Sequence, residues 1–282
     1  MEEQKKQKKK SNIKKVLGGV LALVLVAVIS VVGTLAYLGS TTGTTKENTF
    51  TGSDDISVQL TETDWDKSGT GAKGEEKAEH YTPGLKIEKN PVIKNSTSAT
   101  GTGDYSEWVA MRVDYQIQDG TGALVNKTMS EFTGALGVVS SFNDDTDQAI
   151  TNYAARNWIK VTPKADTTAK FDIYVYKVVL AKGASTNSLF DSLTLKDSIS
   201  KVTIGGNPKY PQFKINIKGS AIKNEIEFGT ISDLSTGGNL TYAGSATKTA
   251  NDYIIMNELV KLLTSDDEYQ AFTGLKKDGS AA

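Results

Sequence analysis

The 282-residue sequence has no cysteine, a single histidine and five prolines. Without cysteine there is no thiol catalysis, no cysteine-bound zinc and no iron–sulfur cluster. There are also no disulfides, so the fold must rest on its apolar core. The lone histidine, His80, stands in Glu79-His80-Tyr81. Zinc hydrolases gather histidines, commonly as H-E-x-x-H, and a Ser-His-Asp triad would have to use this same residue. No Gly-x-Ser-x-Gly elbow accompanies it. We therefore read His80 as a solvated side chain and expect no enzyme, no metal and no cofactor. Arginine is also scarce: Arg112 and Arg156 are the only two. Residues 37–282 carry 25 Lys and Arg against 31 Asp and Glu, a net charge of about −6. Phosphate and base-edge readers need a positive surface, so nucleic acid is excluded as a partner.

What is present begins at the N-terminus. Lys5, Lys6, Lys8, Lys9, Lys10, Lys14 and Lys15 precede an apolar run over residues 16–35. A basic flank, an apolar stretch and small residues at a junction make an export signal. Thr34 and Ala36 are the small residues at −3 and −1 if cleavage falls between Ala36 and Tyr37. The lysines stay on the cytoplasmic side and send the rest outward. The run also reaches the roughly 20 residues that span a bilayer, so a retained anchor is the alternative, with the same topology. We divide the chain into a signal peptide (1–36), an N-terminal strand segment (37–53), a β domain (54–275) and a disordered tail (276–282). The tail carries no Leu-Pro-x-Thr-Gly motif and no apolar anchor.

The domain is rich in Thr, Ser, Gly, Asn and Lys, which suits short strands and polar turns. Ile56, Val58 and Leu60 alternate with Ser57, Gln59 and Thr61, the period of a half-buried strand. Residues 67–79 read as a loop, and Tyr81-Thr82-Pro83-Gly84 as a turn. A strand follows over 85–95, interrupted at Pro91. The strongest strand covers 108–118. Val109, Met111, Val113, Tyr115 and Ile117 fall on one face, and Trp108, Ala110, Arg112, Asp114 and Gln116 on the other. Residues 120–155 read as an insertion with short helices near 127–132 and 148–155. Strand character resumes over 158–162 and 171–180, and again where Phe213, Ile215 and Ile217 alternate with Lys214, Asn216 and Lys218. Asn251-Asp252 opens an apolar helical pattern that we extend to about residue 272 as a packing helix. The sum is a mainly β, antiparallel sandwich, for which a jelly roll is one form.

Other patterns are weak. Gly69-Thr70-Gly71-Ala72-Lys73-Gly74 matches G-x-G-x-x-G only formally, since it sits in a polar loop rather than between strand and helix. Asn143-Asp144-Asp145-Thr146-Asp147 lacks the glycine and distal glutamate of a calcium loop, so it reads as a solvated turn, with a weak calcium site as the alternative. A Lys–Asn or Lys–Asp isopeptide crosslink suits a cysteine-free extracellular β protein, but thirty lysines leave the pair undetermined.

Three blocks in order carry a resemblance. Gly33-Thr34-Leu35-Ala36-Tyr37, Asn48-Thr49-Phe50-Thr51, the strand 56–60 and Trp65 form the first. Tyr81-Thr82-Pro83-Gly84, Ile87 and Lys89-Asn90-Pro91-Val92-Ile93-Lys94-Asn95 form the second, and Trp108-Val109-Ala110-Met111-Arg112-Val113 the third. Together they resemble the TasA/camelysin-like exported proteins processed by signal peptidase W. Leu180-Ala181-Lys182-Gly183-Ala184-Ser185-Thr186-Asn187-Ser188-Leu189-Phe190 resembles a block of the BsaA-like biofilm-matrix branch, which usually has proline at the position of Lys182. The resemblance spans about two-thirds of the chain and leaves residues 120–155 and the C-terminal helix unaccounted for. It implies a jelly-roll subunit of secreted biofilm-matrix or pilus-like fibres. In these the mature N-terminal segment enters the next copy as a donor strand, with other matrix components as further partners and membrane contact only before cleavage. Residues 37–51 are Thr-rich and proline-free, so they can extend and pair, with Tyr37, Leu38 and Phe50 as pocket fillers. Cleavage at Ala36–Tyr37 is then expected to license assembly. A monomeric surface or secreted binding protein is the alternative. The metallopeptidase label carried by camelysin-like proteins is a minor one, opposed by the single histidine.

Overall fold

Strand β6 (Glu107–Gln118) organises the domain, because it is buried along almost its whole length on both faces. The computed structural model describes residues 34–38, 48–51, 56–65, 74–98, 105–140, 156–164, 169–224, 240–241 and 251–280. The largest sheet runs β1 (Thr34–Leu38), β14 (Phe213–Lys223), β6, β10 (Phe171–Tyr176), β9 (Trp158–Thr162) and β15 (Leu240–Thr241). Strand β7 (Leu124–Lys127) pairs with the far end of β6 beyond β10. Two smaller sheets run β2 (Asn48–Thr51), β3 (Ser57–Thr61), β5 (Val92–Asn95) and β4 (Lys86–Glu88), β11 (Ser192–Leu195), β8 (Gly137–Ser140). Strands β12 (Val202–Ile204) and β13 (Asn207–Lys209) form a hairpin closed by Gly205 and Gly206, both at positive φ as a two-residue loop requires. Among the described residues every strand pairing is antiparallel except β15 with β9.

One apolar cluster joins the sheets. Val109, Met111, Val113, Tyr115 and Ile117 of β6 and Phe213, Ile215 and Ile217 of β14 meet Val58 and Leu60 of β3, Ile93 of β5, Ile87 of β4 and Leu193 and Leu195 of β11. These are the residues that alternate in the sequence, and the mainly β expectation holds. The opposite face of β6 is covered too. Trp108 and Ala110 share a second cluster with Ile255, Met256, Leu259, Val260 and Leu263 of α3 (Asn251–Leu263) and Tyr269 and Phe272 of α4 (Asp266–Thr273). The C-terminal segment is thus a packing element, as expected, but it is two helices. Ser265 ends the first and caps the second: its side chain accepts from Glu268 N while Glu268 accepts from Ser265 N. That capping box stops a single helix from reaching residue 272.

Other expectations shift. The strand foreseen over 85–95 is two strands in different sheets, β4 and β5, divided at Lys89-Asn90-Pro91. Residues 74–79, foreseen as loop, form α1 (Gly74–Glu79). Gly74 is required there, because a Cβ would stand 1.8 Å from the Glu88 carbonyl oxygen. The helix foreseen near 127–132 is α2 (Met129–Ala135), set by a Thr128–Glu131 capping box, while β7 turns the start of the supposed insertion into a hairpin. Residues 276–280, foreseen as tail, close a turn in which Lys276 N donates to Ser280 O and Lys277 Nζ to Thr264 O. The apolar run up to residue 33, the helix foreseen over 148–155 and the acidic cluster 143–147 lie outside the described residues. Among the described residues no helix is long and apolar enough to cross a membrane.

Candidate assembly interface

The outer edge of β14 is the feature that connects fold to the expected function. Along this strand Phe213, Ile215 and Ile217 point into the core, while Lys214, Asn216 and Lys218 are half-buried on the other face. Its inner edge pairs with β6 over its full length. Its outer edge takes β1 in antiparallel register: Thr34 opposite Ile217, Leu35 opposite Asn216, Ala36 opposite Ile215, Tyr37 opposite Lys214 and Leu38 opposite Phe213. The predicted processing bond, Ala36–Tyr37, therefore lies inside a paired strand. Beneath this edge sits an aromatic group. The Phe213 ring lies 5.2 Å from Tyr81 and 5.7 Å from Phe132, both edge-on. The Tyr81 hydroxyl donates to the Pro211 carbonyl at 2.6 Å, and burial pushes its pKa well above the ordinary tyrosine value.

The sequence-predicted residues separate into two places. Ala36, Tyr37 and Leu38 stand together on β1. Phe50 stands on β2, opposite Val58 of β3, in a different sheet. His80 is exposed at the end of α1. Among the described residues no group of three His, Cys, Asp or Glu is arranged to hold a metal. Of the formal Gly-x-Gly pattern only Gly74 is described, at the start of a six-residue helix.

Two of the blocks quoted for the family resemblance meet in space. The segment 183–189 lies along the outer side of β5. Asn95 N donates to Ala184 O, Gly183 N to Asn95 O, Thr186 N to Ile93 O and Leu189 N to Pro91 O. An irregular segment so satisfies the backbone groups that an edge strand would otherwise leave open.

Four buried polar groups have no counterpart in the sequence reading. Glu107, at the start of β6, accepts from Thr97 Oγ1 at 2.8 Å, and that hydroxyl also accepts from Ser57 N. This knot ties the small sheet to the large one. Burial raises the Glu107 carboxyl to about 7, against the lowering effect of the Thr97 hydrogen bond and the nearby Ser57 N–H. Arg112 donates to Asp114 Oδ1, to both carboxylate oxygens of Glu268 and to the Leu263 carbonyl at the end of α3. Its guanidinium carbon lies 3.9 Å from the Phe171 ring centroid. Arg156 is held by Ser188 and Asp191. Both guanidinium groups are thus buried against carboxylates. Lys89 Nζ lies 2.6 Å from Glu62 Oε1, both side chains at 1 % exposure or less, and 5.0 Å from the Trp65 ring centroid. The buried lysine thus faces a glutamate. Most of these contacts leave no signal in the sequence, because they join residues well separated in the chain; Arg112 with Asp114, two residues on, is the local one. Comparison with protein-family models, with curated proteins and with solved structures finds no match for this chain.

Proposed function

We propose that the chain is a secreted structural subunit of extracellular biofilm-matrix or pilus-like fibres. Signal peptidase W cuts it after Ala36, and the sandwich is of jelly-roll type. The N-terminal segment beginning at Tyr37 then enters the outer edge of β14 in the next copy. Tyr37 and Leu38 lead that segment. Phe50 lies further along it, near the domain. The supporting observation is that this edge receives an extended segment of the chain itself, in register, with the processing bond inside the paired stretch. A strand added there satisfies main-chain groups and seats alternate side chains over the core. A head-to-tail contact of this kind does not close on itself and generates a filament.

Protein beginning at Tyr37 is expected to form fibres visible by negative-stain microscopy. Deleting residues 37–50 is expected to abolish them while leaving a cooperatively folding domain. Persistent monomers of the Tyr37 protein, or unchanged fibre yield after the deletion, would sink donor-strand assembly. A monomeric secreted binding protein is the alternative reading. It is favoured by one fact, that the edge is closed here by the same chain, and the same microscopy separates the two.

A further inference from the structure

We infer that the last residues of the export segment are a placeholder strand. They close the β14 edge in the unprocessed chain, and cutting Ala36–Tyr37 opens that edge to a second copy. This rests on the fibre reading above and adds the mechanism of its control: assembly is held back by occlusion of the acceptor, not only by tethering of the donor to the membrane.

The register carries the argument. Ile215, Asn216 and Ile217 pair with Ala36, Leu35 and Thr34, all on the signal side of the bond. Only Lys214 and Phe213 face residues that remain, Tyr37 and Leu38. Processing therefore removes three of the five register pairs. It also creates an α-ammonium group on Tyr37, opposite Lys214. Directly opposed like charges on neighbouring strands repel. A two-residue stub with a repelled end gains too few hydrogen bonds to offset the entropy of fixing its backbone.

A second observation gives the exchange its direction. On the half-buried face a ladder of amides crosses three strands. Gln116 Nε2 donates to Asn126 Oδ1 at 2.8 Å, and Asn216 Nδ2 reaches Gln116 Oε1 at 3.5 Å. Asn216 Oδ1 is buried and has no hydrogen-bond partner among the described residues. The residue opposite it, Leu35, is a hydrocarbon with no donor to offer. The incoming segment contains Thr41, Thr42, Thr44 and Thr45. A threonine hydroxyl at that position extends the ladder where the placeholder leaves it open.

The test compares two soluble chains, both within the compact unit that begins at Thr34. One begins at Thr34 and keeps β1 whole; the other begins at Tyr37. Both lack the membrane segment, so tethering is removed from each. The Tyr37 chain is expected to form fibres, and the Thr34 chain to show a lag at least tenfold longer at equal concentration. Those amides of residues 213–217 that face the outer edge should exchange slowly in the Thr34 monomer and fast in the Tyr37 monomer before assembly, while those bonded to β6 stay slow in both. A peptide of residues 33–38 should slow the Tyr37 chain. Equal lag times with equal exchange at 213–217 would overturn the placeholder while leaving the fibre reading intact. Absence of fibres from both chains would overturn both.

Discussion

The substitution Glu107→Gln is expected to remove a loss of stability that the natural protein undergoes between mildly acid and neutral pH. The Glu107 side chain is inaccessible to solvent, one of its oxygens is satisfied by Thr97 and the other, Oε2, has no partner among the described residues. Its carboxyl is raised from 4.5 to about 7. The folded chain therefore holds a proton that the unfolded chain has already released, across the window between those two values. Stability falls wherever the folded state binds more protons as pH rises, so it declines from about pH 4.5 to about 7 and then levels off. At ~1.4 kcal/mol per pH unit, the displacement corresponds to about 3 kcal/mol. The amide that Glu107→Gln introduces keeps an acceptor for Thr97 but never ionises; its unpaired NH2 group costs on the order of 1 kcal/mol. Urea unfolding of both chains at pH 5, 6, 7 and 8 reads the difference. It can be followed by the fluorescence of Trp65, Trp108 and Trp158, all buried. At pH 5 the two should lie within ~1 kcal/mol, and at pH 8 the variant should be the more stable by about 2 kcal/mol. Because other titrating groups are common to both chains, a difference that does not change with pH refutes the reasoning.

Two further outcomes follow from the other buried charges. Arg112→Met removes the shared partner of Asp114, Glu268 and the α3 terminus and should cost about 3–5 kcal/mol, seen as fast hydrogen exchange in α3 and α4 while β3 and β5 stay protected. Arg112 holds Glu268 at about 2, so that contribution is present above pH 4.5 and is lost as pH falls toward 2. Solvent screening at this partly exposed carboxylate reduces it to roughly 1 kcal/mol in an acid titration of stability. Lys89→Met should cost a similar 3–5 kcal/mol by stranding Glu62, whereas the double change with Glu62→Leu should recover most of it in a double-mutant cycle.

Particular elements show how much was legible. Strand β9 ends where the sequence pattern ends, and β3, β6 and β14 follow from strict alternation of apolar residues. The turn expected at Tyr81-Thr82-Pro83-Gly84 forms one residue later, closed by Leu85 N donating to Thr82 O, with Gly84 at φ 80°. The break between α3 and α4 has a local signature in Ser265-Asp266-Asp267-Glu268, a capping box inside an otherwise helical apolar pattern. Short α1 left no periodic trace, being six residues long. The separation of β4 from β5 has no distinct sequence signal, because a proline reads alike as a bulge and as a crossing between sheets. The Lys89–Glu62 and Arg112–Glu268 pairs have no local signature at all.

The sequence by itself determined that this is a mainly β chain with a basic and then apolar N-terminal stretch, no cysteine, one histidine and a proline-free Thr-rich segment behind Ala36. Those features depend on composition and on periods of two residues, which local sterics and burial impose on any strand. Only the tertiary structure decided which edge Thr34–Leu38 occupies, that Phe50 belongs to another sheet, and that both faces of β6 are covered. Edge pairing and burial are set by backbone groups and side chains brought together across more than a hundred residues, and no local pattern specifies the partner.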